Sequence, residues 1–151
     1  VNDAKNNSRA SDAGALWGGR FASGPSPELA RLSASTHFDW VLAPYDLAGS
    51  RAHAKALAAA GYLSDAELSD MLAALDTLAA DLESGSFTAT DADEDVHSAL
   101  ERGLMERAGT QLGGKLRAGR SRNDQIATLI RLYLLDHAKV ITADVVALIE
   151  A

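Results

Sequence analysis

The stretch Asp124–Ala151, DQIATLIRLYLLDHAKVITADVVALIEA, contains neither glycine nor proline. At 1.5 Å per residue it predicts a single helix roughly 40 Å long. Its apolar residues, among them Ile126, Leu129, Ile130, Leu134, Leu135, Val140, Ile141, Val145, Leu148 and Ile149, fall on more than one face. A helix that is apolar on several sides has to be buried on several sides. The preceding residues hold too few long helices to surround it, so further chain or other subunits are the expected cover. The sequence also stops inside this pattern without a capping signal, so the 151 residues are expected to be the front part of a larger helical-bundle protein.

The helical period recurs upstream. Ser64 and Glu67 form an S-x-x-E capping box, in which each side chain satisfies an orphan amide at a helix start. Leu68, Met71, Leu72, Leu75, Leu78, Ala79 and Leu82 follow at steps of three and four, on one stripe that Gly85 closes. Before it, YDLAGSRAHAKALAAAGYL (Tyr45–Leu63) reads as a helix ended by Gly61 in left-handed geometry. After it, DADEDVH (Asp91–His97) opens a helix whose acidic residues suit the positive end of the helix dipole, running to about Gly109. The segment LWGGRFASGPSPELARLSASTHFDW (Leu16–Trp40) carries glycine and proline punctuation and reads as irregular. No useful length of period-2 alternation occurs, so the fold class is all-α. Three parts are expected: a disordered tail over 1–15, an N-terminal helical domain over 16–117, and the first part of a central helical bundle over 118–151.

Composition narrows the function classes. A formal net charge of -7 and a pI near 4.9 oppose general nucleic-acid binding, which needs a basic face. Cysteine is absent, which excludes disulfides, thiolate catalysis and Cys-ligated zinc and fits a reducing compartment. No apolar run reaches the roughly 18 residues of a membrane span, and the first fifteen residues lack the apolar core of a signal peptide.

In so acidic a chain the basic residues have to be read locally. GRSRNDQ (Gly119–Gln125) gathers Arg120 and Arg122, whose planar forks suit carboxylates or phosphates, with Ser121 and Asn123 at a helix start that adds exposed amides. That is an anion-recognition corner, or else an N-cap by Asn123 or Asp124 with arginines paired to acids. A P-loop is ruled out, because the G-x-x-x-x-G-K-[ST] order is missing. Asp91, Asp93, Glu94, Asp95 and His97 tempt a metal reading, yet no second histidine follows at i+3 or i+4, and a charged helix start accounts for them. His97 beside Asp95 remains a candidate for orienting a substrate. Ser35 is either a ligand-binding hydroxyl or a turn serine bonding its own backbone. His37, His53 and His137 are expected to be structural or surface residues.

The order of the blocks LWGGRF, SASTHFDW, DEDVH and GRSRNDQ closely resembles the N-terminal portion of the argininosuccinate lyase family, from Leu16 to Ala151. GRSRNDQ is specific to that family within the wider fumarase, aspartase and adenylosuccinate lyase superfamily. The resemblance implies an all-helical, cytoplasmic homotetramer whose active sites are each assembled from three subunits. The implied reaction is the reversible elimination of argininosuccinate to arginine and fumarate, in arginine biosynthesis, without metal or organic cofactor. By the same resemblance Ser35 and Asn123 bind substrate, Arg122 helps hold a carboxylate, and Asp95 and His97 line the site. Donors aimed at a carboxylate that gains charge in the transition state suit such an elimination.

The family's acid/base pair lies in a THLQ-like motif and a GSSxMPxKxN-like loop, and neither occurs here. No catalytic residue is therefore assigned to this chain, and the isolated 151 residues are expected to be inactive. Ser33, Gly103 and Ala118 depart from the Asn, Arg and Thr common in the family. A crystallin-like structural protein of the same fold and a helical oligomerisation module are the competing readings. Binding of nucleic acid or of a membrane is not expected.

Overall fold

Three of the helices, those beginning after Ser26, Ser64 and Asp95, start at small side-chain caps. In the computed structural model, which describes residues 26–151, Ser26 accepts a hydrogen bond from the Leu29 amide, and Pro27 then begins α1 (Pro27–Ser33). A four-residue turn α2 (Thr36–Asp39) and a 3-10 turn (Trp40–Leu42) lead into α3 (Ala43–Ala59). The sequence predicts irregular chain here; short helices form instead, because Ser26-Pro27 is itself a start signal. The expected tail over 1–15 and the WGGRF block (Trp17–Phe21) lie outside the described residues.

The longer helices follow the sequence closely. α3 ends in a Schellman motif, with Gly61 at φ 79° and the Tyr62 amide donating to the Leu57 carbonyl at 2.9 Å. Ser64 and Glu67 make the capping box of α4 (Asp65–Glu83), and Gly85, at φ 74°, follows its end. The Lys115 ammonium and the Ser64 amide hold the Glu67 carboxyl at about 2. α5 (Val96–Lys115) opens on a second capping box, Asp95 with Ser98, and is interrupted at Gly109, where φ is 78° and ψ 156°. The last helix, α6 (Arg122–Glu150), is unbroken and runs for roughly 43 Å. Among the described residues there is no strand, and the all-α class stands.

α3, α4 and α5 enclose one core. Met71, Leu75 and Leu78 project from α4 at i, i+4 and i+7 and are almost fully buried, against Leu47 and Leu57 of α3 and Leu100 and Leu104 of α5. Each such side chain contributes about 1.5–3 kcal/mol by leaving water. Phe87, after α4, stacks on Trp40 at 6.2 Å with the Arg102 and Arg107 guanidinium groups 5.0 and 5.3 Å from its ring centre. The ring lies over Gly103, where an added Cβ would come within 2.7 Å of Phe87 and 2.8 Å of Leu78. The departure at Gly103 thus has a packing cause: with Phe87 seated there, the helix surface has room for no side chain.

α6 lies against α3 and the 3-10 turn. Leu129 is its one buried residue, whereas Ile130, Leu134, Leu135, Val140, Ile141, Val145, Val146, Leu148 and Ile149 are 45–78% exposed. The described upstream helices leave most of its apolar surface uncovered, in line with the sequence reading.

Gly103→Ala is expected to destabilise the chain by about 1–3 kcal/mol through overpacking. Denaturant unfolding followed at the aromatic absorption of Trp40 and Phe87 checks this; an unchanged midpoint would refute it.

Candidate functional site

α3 carries two polar residues on its buried side. Ala43, Asp46, Leu47, Ser50, Ala54 and Leu57 recur at helical spacing, so Asp46 and Ser50 stand one turn apart within an otherwise apolar stripe. α5 adds His97 from its first turn. The turn before α6, bent at Gly119 (φ 62°), brings in Arg120, and the first turns of α6 add Arg122 and Gln125.

Asp46 organises these groups. Its Oδ1 accepts from the Ser50 hydroxyl at 3.0 Å and from Arg120 Nη2 at 3.1 Å. Its Oδ2 accepts from His97 Nδ1 at 2.5 Å and from Gln125 Nε2 at 2.8 Å. Arg120 Nη1 also donates to Ser50 at 3.0 Å, which leaves the Ser50 proton for Asp46. The Asp46 and His97 side chains are only 3% and 5% exposed.

An ionised carboxylate is acceptor-only, so Nδ1 of His97 carries the proton in its bond to Asp46. Gln125 Nε2 lies 3.1 Å from that same Nδ1, and the two are neighbouring donors converging on one oxygen. Burial by itself raises the Asp46 carboxyl. The hydrogen bond from His97, its charge when the imidazole is protonated, the charge of Arg120 and the Ser50 hydroxyl outweigh it, and Asp46 titrates below its ordinary 3.8. Burial lowers Arg120 against the pull of Asp46, and a guanidinium stays charged at neutral pH regardless.

A cleft of about 340 Å³ opens beside this network. His97, Arg117, Arg120, Arg122 and Gln125 form its polar wall, while Leu47, Leu75, Leu100, Leu104 and Leu116 form its apolar one. Arg117 pairs with Glu101 and Arg120 with Asp46. Arg122 has no ion-pair partner among the described residues. The two readings of GRSRNDQ therefore divide: two arginines near the corner are neutralised, and Arg122 lines the cleft unpaired among the described residues. The N-cap is Ser121 rather than Asn123 or Asp124, and its hydroxyl makes no capping bond, so the first amides of α6 remain unsatisfied by side chains.

Of the five residues singled out from sequence, His97 and Arg122 line this cleft, whereas Ser35, Asp95 and Asn123 do not. Asn123 is exposed in the first turn of α6. Ser35 donates its hydroxyl to Asp39 Oδ2 at 2.5 Å and its amide to the Glu94 carbonyl at 2.9 Å. Asp39 Oδ2 also accepts from the Val96 amide at 3.2 Å, so the pair fastens α2 to the start of α5. Asp95 caps α5 by accepting from the Ser98 amide at 2.6 Å. The neighbour in sequence is thus not the partner of His97; that partner is Asp46, on another helix. Asp93 accepts a bidentate pair of bonds from Arg102, and among the described residues no three His, Asp or Glu groups are arranged to hold a metal ion. His53 bonds the Ala118 carbonyl, His137 stacks on Tyr133, and His37 is exposed against Phe38.

A family profile described as lyase matches residues 19–151. The chain belongs to that lyase family. It is 73% identical over 143 residues to the argininosuccinate lyase of Clavibacter michiganensis subsp. michiganensis, covering 95% of this chain and 29% of that protein. It is 74% identical over 140 residues to the argininosuccinate lyase of Leifsonia xyli subsp. xyli, covering 93% and 30%. Against that of Thermobifida fusca it is 66% identical over 136 residues, covering 90% and 29%. The chain thus spans about three-tenths of the length of these curated relatives. No helix of the described residues is long and apolar enough to cross a membrane.

Because Asp46 titrates lower when folded than when unfolded, the unfolded chain binds more protons between the two values, and stability rises with pH there. The contribution is complete above 3.8 and is lost as the pH falls through the lower folded value. Acid unfolding of Asp46→Asn should accordingly depend less steeply on pH than that of the wild type; equal slopes would contradict this.

Proposed function

We propose that the complete protein is an argininosuccinate lyase, which reversibly eliminates argininosuccinate to arginine and fumarate, and that this chain supplies substrate-binding groups. The observation that carries the reading is the 66–74% identity to relatives of that name over at least nine-tenths of the chain. The geometry agrees with it. Removing a proton beside a carboxylate drives charge onto that carboxylate, and a preorganised donor stabilises the change more than water does. Arg122, with no ion-pair partner among the described residues, is such a donor at the cleft.

Ser35, Asp95, Asn123 and His97 complete the proposed binding set. Ser35 and Asp95 flank the same start of α5 that carries His97, and Asn123 adjoins Arg122. In this proposal the enzyme is a cytoplasmic homotetramer that uses no cofactor and serves arginine biosynthesis. The uncovered apolar row of α6 supports the assembly. Proton transfer falls to groups in motifs that these 151 residues lack.

Fumarate formation from argininosuccinate, followed by ultraviolet absorbance, tests the reading on the complete protein. Turnover is expected, and Arg122→Gln should lower kcat/KM roughly 10- to 100-fold by removing a charged hydrogen bond. The 151 residues by themselves should release no fumarate. A folded, assembled wild-type protein without turnover would replace the enzyme with a crystallin-like structural role.

A further inference from the structure

We propose that Asp46 is a positioning residue that locks His97 as the Nδ1-protonated tautomer, so that the Nε2 lone pair faces the cleft as acceptor for a substrate N–H. The inference deepens the lyase reading and rests on it, since argininosuccinate offers guanidinium N–H donors. Three observations carry it.

First, all the acceptor directions of a deeply buried carboxylate are occupied by four donors from three parts of the chain. Asp46 can therefore neither turn nor offer a proton to the imidazole. Second, Gln125 Nε2 donates to Asp46 Oδ2 at 2.8 Å and is therefore a neighbour of Nδ1 of His97 on that oxygen, not a donor to it. A ring with its lone pair at Nδ1 would leave the 2.5 Å approach to Asp46 as one acceptor facing another, and that tautomer is excluded. Third, the ring lines the cleft, and its Nε2 has no hydrogen-bond partner among the described residues. Each ring nitrogen of a histidine is set by the bond the other makes. The Arg120 charge balances that of Asp46, so the imidazole is not required as its counterion.

The test is a double-mutant cycle in the complete protein, with Asp46→Asn, His97→Asn and the double variant. Activity, its pH profile, melting and assembly are all measured. The groups around the ring are Asp46 from α3, Arg120 before α6 and Gln125 from α6, with Glu101, Arg117 and Arg122 along the cleft. Asparagine at 46 can turn its NH2 towards the ring and release the tautomer. Asparagine at 97 keeps an N–H where Nδ1 stands and loses the group at Nε2.

Each single variant should lower kcat/KM by at least about tenfold. Asp46→Asn should displace the pH profile, His97→Asn should melt and assemble as the wild type does, and the double variant should be no worse than His97→Asn. Losses that multiply in the double variant would overturn the proposal, as would wild-type activity or an unmoved pH profile in Asp46→Asn. Should Asp46→Asn fail to fold, His97→Asn decides alone: lost activity with unchanged melting supports the proposal, and retained activity or a parallel loss of melting temperature overturns it. Failure of the lyase reading is recognised separately, as a wild-type protein that does not turn over.

Discussion

The structure turns on a charge taken out of water. Asp46 sits inside a helical core, where an unpaired carboxylate would cost several kcal/mol, and it is tolerated because four donors surround it. Ser50 comes from the same helix, His97 from α5, Arg120 from the turn before α6, and Gln125 from α6 itself. Removing one partner from such a buried set costs about 3–5 kcal/mol. The network therefore adds to the apolar contacts a directional constraint on the relative position of three helices, since each hydrogen bond tolerates only a narrow range of distance and angle. This matters most for α6, which is anchored to the rest by Leu129 and by little other buried apolar surface.

Local backbone chemistry brings the donors to the carboxylate. The Asp95–Ser98 box starts α5 one residue before Val96, and the register of that helix then turns His97 inward. Ser35 and Asp39 hold the same start from outside through the Glu94 carbonyl and the Val96 amide. Gly119 supplies the positive φ that lets the chain reverse between Leu116, which is buried, and Arg120, which has to approach α3. At α3 that approach is met by Gly49, where even an added Cβ would lie 4.0 Å from Arg120. Residues far from the cleft in sequence thus act on it through the angle at which a helix begins.

The parts of this arrangement that were legible in sequence are those encoded locally. The Ser64 box, the stops at Gly61 and Gly85 and the unbroken α6 follow from neighbours within a few residues. The short α1 is not legible in sequence, because its proline reads equally as a breaker and as a first-turn residue. At the cleft, the spacing of GRSRNDQ marks Arg122, but it does not say which arginines are already neutralised, because Glu101 and Asp46 are remote in sequence. The same holds for His97. Its sequence neighbour Asp95 is consumed as a cap, and its partner stands 51 residues earlier. One signal for that partner was present: Asp46 and Ser50 interrupt an apolar stripe on α3, and a polar pair on a buried face has to be bonded to something.

α6 joins the two unfinished features of the chain. Its first turn presents Arg122 and Gln125 to the cleft, and its remaining length presents an uncovered apolar row. No glycine or proline lies between them, so the helix transmits position without a joint. Any surface that covers the row is held in fixed relation to Arg122 and, through Gln125 and Asp46, to His97. In the proposed lyase the groups that move protons come from outside these 151 residues. Under that proposal they would have to reach the cleft from a position set by how the apolar row of α6 is covered. Covering that row and positioning Arg122 and His97 would then be coupled through one rigid helix, with the buried carboxylate of Asp46 as its fixed point.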